Sequence, residues 1–368
     1  NAQGLAHSVA RILDTSTPFF ERLTWFWADH FTVVSRRGPT APLVTAYIDE
    51  AIRPHITGRF ADMLKAVVIH PAMLDYLDQN ASIGPNSPYG LRSKRGLNEN
   101  LAREVLELHT LGVGADYTQA DVRQLAELFT GLTYDLERGY FFNGEIVEPG
   151  REQLLGKVYG NGMAGVGFVM EALEDLAAHP TTARHLATKI ARHFVSDTPD
   201  QDLISTLEDA YRTSEGNLMS VYSALLDHPS TWKSLGNKVR QPFDFLATAM
   251  IAMNIRGEEI ANLSYKRNVQ DLWVQLRNMG QTFLEPGGPN GWPEDAEHWI
   301  TPQGLSNRIN FAITLTARHG SKVDDPQLFL ERVLADASRE DLKFATRAAE
   351  TKSDAVALIL ASAELNLR

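Results

Sequence analysis

The chain has 368 residues, 43% of them apolar and 22% charged, with a formal net charge of −11 and no cysteine. Such a length and apolar share support a large core rather than disorder, and the acidic balance excludes a nucleic-acid-binding surface, which needs clustered Lys and Arg. Without cysteine there are no disulfides, thiolate metal sites or cysteine nucleophiles, and no apolar run approaches the roughly 18 residues of a membrane span.

Neither nucleic acid nor an integral membrane segment is therefore expected, which leaves an unknown small-molecule or polymer substrate as the partner. Arg92, Lys94 and Arg95 are the nearest approach to a basic patch and are too few. The segment from Asn1 to Asp14 lacks the apolar stretch of a signal peptide. Because the chain starts at Asn and not Met, a leader removed earlier is compatible with it. A soluble protein in cytoplasm or periplasm fits equally, so the compartment is unknown.

Helical periodicity dominates the chain in order. Pro18 to Val33 reads as a long helix with Leu23, Phe26, Trp27 and His30 near one face, and Arg59 to Ile69 as another. Asn80 to Gly96 is broken by Gly, Pro, Asn and Ser and reads as a loop. Helices follow over Glu99–Leu111 and Gln119–Thr130, with Thr118 and Asp121 spaced as a cap and its acidic partner, and Gly112 where a C-terminal cap belongs. Around Tyr140 to Val147, Asn143-Gly144 between short apolar runs signals a β-hairpin. Gly156 to Gly167 is glycine-rich and irregular. Helices resume from Phe168 to the end, apart from a loop at Pro286–Pro302. His-Pro recurs at His70, His179 and His228; the sequence reads as helix corners, Pro opening the next helix and His capping the preceding carbonyls. The expectation is an all-α fold, a compact multi-helix array with one small β-hairpin near residues 140–147. It forms a single helical domain over 1–368, with a possible subdivision near 160.

The stretch "LNENLAREVLELHTLG", Leu97 to Gly112, carries the most chemistry. At 100° per residue, Leu101, Val105 and Leu108 fall within about 60° and form a core stripe. Asn100, Glu104 and Glu107 form a polar stripe beside it. Glu99, Arg103 and Glu107 are spaced i,i+4. Two carboxylates one turn apart repel, so that one pKa rises and the other stays low, the asymmetry general acid–base catalysis uses. The same pair could bind a divalent cation through oxygen, or be an ion-pair network joining helices. Signatures for di-iron bundles, zinc proteases, phosphate loops, dinucleotide folds and serine elbows are absent. In "LTWFWADHF", aromatics surround Asp29-His30; in "FLEPGGPNGWPEDAEHW", Trp292 and Trp299 sit beside carboxylates in a long ordered loop that reads either as a sugar platform or, the preferred reading, as a plug against the core.

These stretches together resemble the bacterial domain of unknown function 1800 family. The resemblance rests on "FWADHF" at 26–31, "NENLAREVLELHTLGVGADYTQADVRQLAELFTGL" at 98–132, "LLGKVYG" at 154–160 and "HPTTARHLATKIARHFVSDTP" at 179–199. It continues in "GWPEDAEHW" at 291–299, "NRINFA" at 307–312 and "LILASAELNLR" at 358–368. It implies a bacterial, mostly helical protein without an assigned activity, exported in some relatives, and usually with a further N-terminal segment. Its motif positions fall on His30, Asn98, Glu99, Asn100, Arg103, Glu104, Glu107 and Gly131. Where the family pattern has His-Asp before Pro-Gly, this chain has Val147-Glu148.

Two functional expectations follow. In one, the protein is a hydrolase-type enzyme with Glu104, Glu107, His30 and Arg103 as catalytic candidates and Asn98, Asn100 and Glu99 as substrate-binding candidates. In the other it is a non-catalytic binding or scaffold protein, and the stripe is structural. The Glu104–Glu107 pair is expected to be partly buried, with a third partner such as His30, another Arg or helix N-terminal amides. No cofactor or transition metal is expected, and a weakly carboxylate-bound Mg²⁺ or Ca²⁺ is the single exception.

Overall fold

A computed structural model describes residues 2–34, 42–162 and 165–368. Two residues of the glycine-rich segment, 163 and 164, lie outside the described residues. Among the described residues 65% are helical, beside two small two-stranded antiparallel sheets, so the fold is mostly α. No described helix is long and apolar enough to cross a membrane.

The hairpin pairs Leu132–Asp135 with Gly139–Phe142. Its turn lies at residues 136–138, so Asn143-Gly144 follows the second strand instead of linking two strands. There the Asn143 side chain accepts the Glu145 N–H at 3.1 Å and opens a short 3₁₀ turn, Gly144–Ile146. A second hairpin, Glu152–Leu154 with Lys157–Tyr159, occupies the start of the glycine-rich segment. Its two turn residues, Leu155 and Gly156, have φ of 49° and 82°, the positive values that tight primed turns demand.

Local capping follows the sequence closely. Thr118 and Asp121 form the reciprocal capping box ahead of the helix Gln119–Leu128. At each His-Pro corner Pro opens the helix, but the His caps forward. Nδ1 of His70, His179 and His228 accepts the N–H of Ala72, Thr181 and Ser230, at 3.1, 3.2 and 3.2 Å. The ring thus satisfies an orphan donor of the following helix, not the carbonyls of the preceding one.

Buried apolar side chains form two clusters. The first draws on residues from Leu23 to Leu225, including Trp27, Phe31, Phe60, Val105 and Phe129. It runs across the glycine-rich segment. The second combines one face of the helix Ala2–Asp14 (Leu5, Ala6, Val9, Ala10) with side chains from Phe245 to Leu365. Trp25 and Leu284, half-buried, pack against both clusters and mark the seam between them.

Candidate functional site at the seam between the two cores

The structure divides the sequence candidates into two groups. The segment Asn100–Glu104 is α-helical, but Val105–His109 widens into a π-helix. That extra residue per turn shifts the phase. Leu106 and His109 join Leu101 and Val105 in the core, whereas Leu108, expected in the core stripe, is only half-buried. The Glu104–Glu107 pair of the expected polar stripe is half-buried. Arg103 Nη2 lies 3.1 Å from Glu99 and Nη1 3.6 Å from Glu107. The further partners from elsewhere in the chain are not those expected. Gln119 bridges Arg103 at 3.1 Å and Glu99 at 2.7 Å. Tyr117 bonds Glu107 through its hydroxyl, whose pKa is raised by burial and by that bond.

The Glu104 carboxyl has no hydrogen bond or ion pair among the described residues. Its carboxyl is raised first by burial and next by Glu107, with Arg103 opposing. Asn98 ties the preceding loop together, bonding Ser82, the Asp78 carbonyl and the Asn100 N–H, and Asn100 is exposed. Glu148 accepts the Asn86 N–H at 2.9 Å and donates its own N–H to Thr130 at 2.8 Å, a tie between loops.

His30 is not part of this stripe. It is buried beneath the end of the π-helix, where its Nε2–H donates to the His109 carbonyl at 3.2 Å. His185 Nε2–H donates to the Leu108 carbonyl at 3.2 Å. Together the two rings satisfy carbonyls that a helix C-terminus leaves open. Burial, helped by the nearby Lys189, lowers all three histidines of this group: His109 to about 3, His185 to about 4 and His30 well below its ordinary value. Gly112, the expected cap, has φ of 96°, and a Cβ there would lie 2.8 Å from His185 Nδ1. Only glycine satisfies both constraints.

The opposite face of the helix Pro18–His30 builds a second site. Arg22, Trp25 and Asp29 recur at i, i+3 and i+7, so they share one face, while Leu23, Phe26, Trp27 and His30 enter the first core. This face borders a cavity of about 250 Å³ at the seam. One wall is apolar. The Trp25 ring lies 4.8 Å from Phe243 and 5.7 Å from Phe283, with Leu276, Ile251 and Trp292 beside them. The other wall is polar: Arg22, Arg240, Asp244, His193 and Arg368 converge from four separate stretches of chain.

The electrostatics of the polar wall are lopsided. Arg368 Nη1 bonds Asp244 at 2.6 Å, and Arg240 Nη1 lies 3.9 Å from the same carboxylate. Burial alone would raise the Asp244 carboxyl, but Arg368, Arg22 and Arg240 hold it well below the usual range. Arg22 is pushed down to about 10 by burial and by the other two guanidiniums, with Asp244 opposing. Asp29, receiving the Trp292 N–H at 2.9 and 3.2 Å, is pushed up to about 7 chiefly by burial. Behind the wall, the Lys238 ammonium bonds Asp197 at 2.5 Å and the Glu294 carbonyl at 2.7 Å, and lies 3.2 Å from the Glu294 carboxylate. His193 bonds Glu294 at 2.6 Å.

Three smaller or more ordinary openings differ from this one. The largest, about 350 Å³, is lined by charges already matched, Arg11 with Asp49 and Arg53 bidentate to Glu21. Neither it, nor the pockets around Asp271 and Glu152, nor the seam cavity is lined by Glu104 or Glu107. Among the described residues no group of three or more His, Asp or Glu is arranged to hold a metal ion.

Sequence reasoning did not single out Arg22, Arg240, Asp244, His193 or Arg368. One signal was present: a polar residue at each end of the Arg22–Trp25–Asp29 face of a helix otherwise rich in aromatics. The stretches at 26–31, 179–199, 291–299 and 358–368 all deliver side chains to this network.

Fold and site define a mostly helical protein with two buried apolar clusters and a charged cavity at their seam. No curated protein and no solved structure matches it. The family model described as "Protein of unknown function (DUF1800)" matches residues 2–367, and the chain belongs to that family.

Proposed function

We propose that this chain is a binding protein for a compact small molecule and that the seam cavity receives it. The observation that carries this reading is the pairing of an aromatic wall (Trp25, Phe243, Phe283) with polar groups converging from the opposite side. Ligand pockets combine such an apolar body with a few placed polar groups. On this reading Glu99, Arg103 and Glu107 with Gln119 are a surface ion-pair network that ties neighbouring helices. Thr248, half-buried on the helix Pro242–Ala252, lines the cavity, and Thr248→Trp would fill it. Calorimetry with single-ring compounds should find ligands for the native chain that the well-folded variant no longer binds. Equal binding to both proteins would overturn the proposal.

A hydrolase reading of the glutamate pair rests on one observation. Glu104 stands half-buried beside Glu107, its carboxyl raised and without a partner among the described residues. Chromogenic esters, phosphates and glycosides test it. Hydrolysis that disappears in Glu104→Gln at unchanged melting temperature supports it, and hydrolysis absent or indifferent to that change overturns it.

A further inference from the structure

The buried side-chain atoms lining the seam cavity that lack hydrogen-bond partners among the described residues share one property: all are donors. Nε and Nη2 of Arg22, Nε of Arg368, Nε1 of Trp25 and Nε2 of Gln241 are buried and have no hydrogen-bond partner among the described residues. All four residues line the cavity. Buried donors without acceptors are costly, the more so when charged. No acceptor atom lining the cavity is left open in the same way.

The charge balance points the same way. Three guanidiniums, Arg22, Arg240 and Arg368, face the single carboxylate Asp244. The neighbouring carboxylates have cations of their own: Glu21 is gripped by both arms of Arg53, at 2.7 and 2.9 Å, and Glu294 by Lys238 and His193. Asp29 accepts the Trp292 N–H, and the charge of Lys189 favours its ionised form. Of the three arginines, Arg368 and Arg240 have partners, donating to the His193 and Leu365 carbonyls at 2.8 and 3.0 Å. Arg22 contributes two free N–H groups beside the Phe194 ring, 5.4 Å from its guanidinium carbon. A planar guanidinium with two open donors is suited to a bidentate grip on an oxyanion.

We infer that the ligand of the seam cavity is an oxyanion, a carboxylate or phosphate, carried on an apolar body, with Arg22 gripping the anionic group and Trp25, Phe243 and Phe283 receiving the body. This inference rests on the cavity being the ligand site and adds the charge of the ligand. The Trp25 indole N–H and the Gln241 amide supply neutral donors beside the guanidinium.

The test compares benzoate and phenyl phosphate with neutral benzyl alcohol, by calorimetry at low salt, on the native chain and on Arg22→Gln, Arg22→Lys and Thr248→Trp. The anions should bind the native chain about tenfold or more tighter than benzyl alcohol, the size of effect expected of a charge-assisted hydrogen bond. Arg22→Gln should remove that advantage while leaving benzyl alcohol binding within about twofold, and Arg22→Lys should restore part of it. Because Nε and Nη2 of Arg22 make no hydrogen bond among the described residues and Asp244 keeps Arg368 and Arg240, Arg22→Gln should melt within a few degrees of the native chain, which separates lost recognition from lost folding. If benzyl alcohol binds as tightly as the anions, or if Arg22→Gln leaves anion binding intact, the inference falls while the cavity reading stands. If Thr248→Trp leaves every probe bound as before, the cavity reading itself fails.

Discussion

Gly291 is pressed against Asp29. A Cβ on Gly291 would lie 2.6 Å from the Asp29 carboxylate, its φ is 77°, and the next N–H, that of Trp292, bonds the same carboxylate at 2.9 Å. The loop bearing Trp292 and Trp299 is thereby fastened to the helix Pro18–His30, and the buried Trp299 indole donates to the Pro293 carbonyl at 2.9 Å.

Gly291→Ala should therefore destabilise by about 1–3 kcal/mol, combining positive-φ strain with the close approach. Denaturant unfolding measures it. A change below experimental error would mean that the loop gives way and that Asp29 does not depend on it.

The glutamate stripe should be worth little to stability. Arg103 and Glu99 retain 37% and 32% of their side-chain exposure, and such surface pairs contribute about 0–1 kcal/mol. Arg103→Met should cost no more than that, well short of the loss a buried network would show. Glu104, raised in the folded chain, contributes stability only when protonated. That contribution is present below its unfolded pKa and lost as pH rises through the folded one. Glu104→Gln should thus melt at the same temperature as the native chain or slightly above it at neutral pH. A drop of several degrees would show a hidden partner.

The buried histidines should limit acid stability. His185 stays neutral in the fold down to about 4, whereas in the unfolded chain it protonates near its ordinary value. Its contribution is complete above about pH 6.5 and is lost as pH falls from there to about 4. His185→Gln should flatten that limb of the stability–pH curve by up to about 3 kcal/mol. Parallel curves for the two proteins would contradict the assignment.

Lys238 is 2% exposed and serves both Asp197 and Glu294. Lys238→Met leaves Asp197 without its cation and Glu294 with His193 alone, so a loss of about 3–5 kcal/mol is expected. The double variant Lys238→Met with Glu294→Gln should recover part of it. No recovery would place the cost in packing instead of charge.

Much of the fold was legible in the sequence because its signals act within a few residues. Apolar spacing set the helices, Pro after His set the corners, and Thr118 with Asp121 set a helix start. The direction of the histidine caps was misread, since the ring reaches two residues ahead as readily as behind. The hairpin was legible to within a strand, and the Asn-Gly pair misplaced its turn because Asn143 caps its own loop.

What only the tertiary structure decided is where distant residues meet. The π-turn at Val105–His109 moves Leu106 inward and Leu108 outward, a one-residue slip in register. In the folded chain it coincides with His30 and His185 bonding the carbonyls at its end, contacts no helical wheel contains. The seam cavity joins Arg22, Arg240, Asp244 and Arg368, separated by up to the length of the chain. Each alone looks like an ordinary surface charge. Periodicity, a local property, cannot report which charges are buried together without enough partners; that depends on how the two cores close on one another.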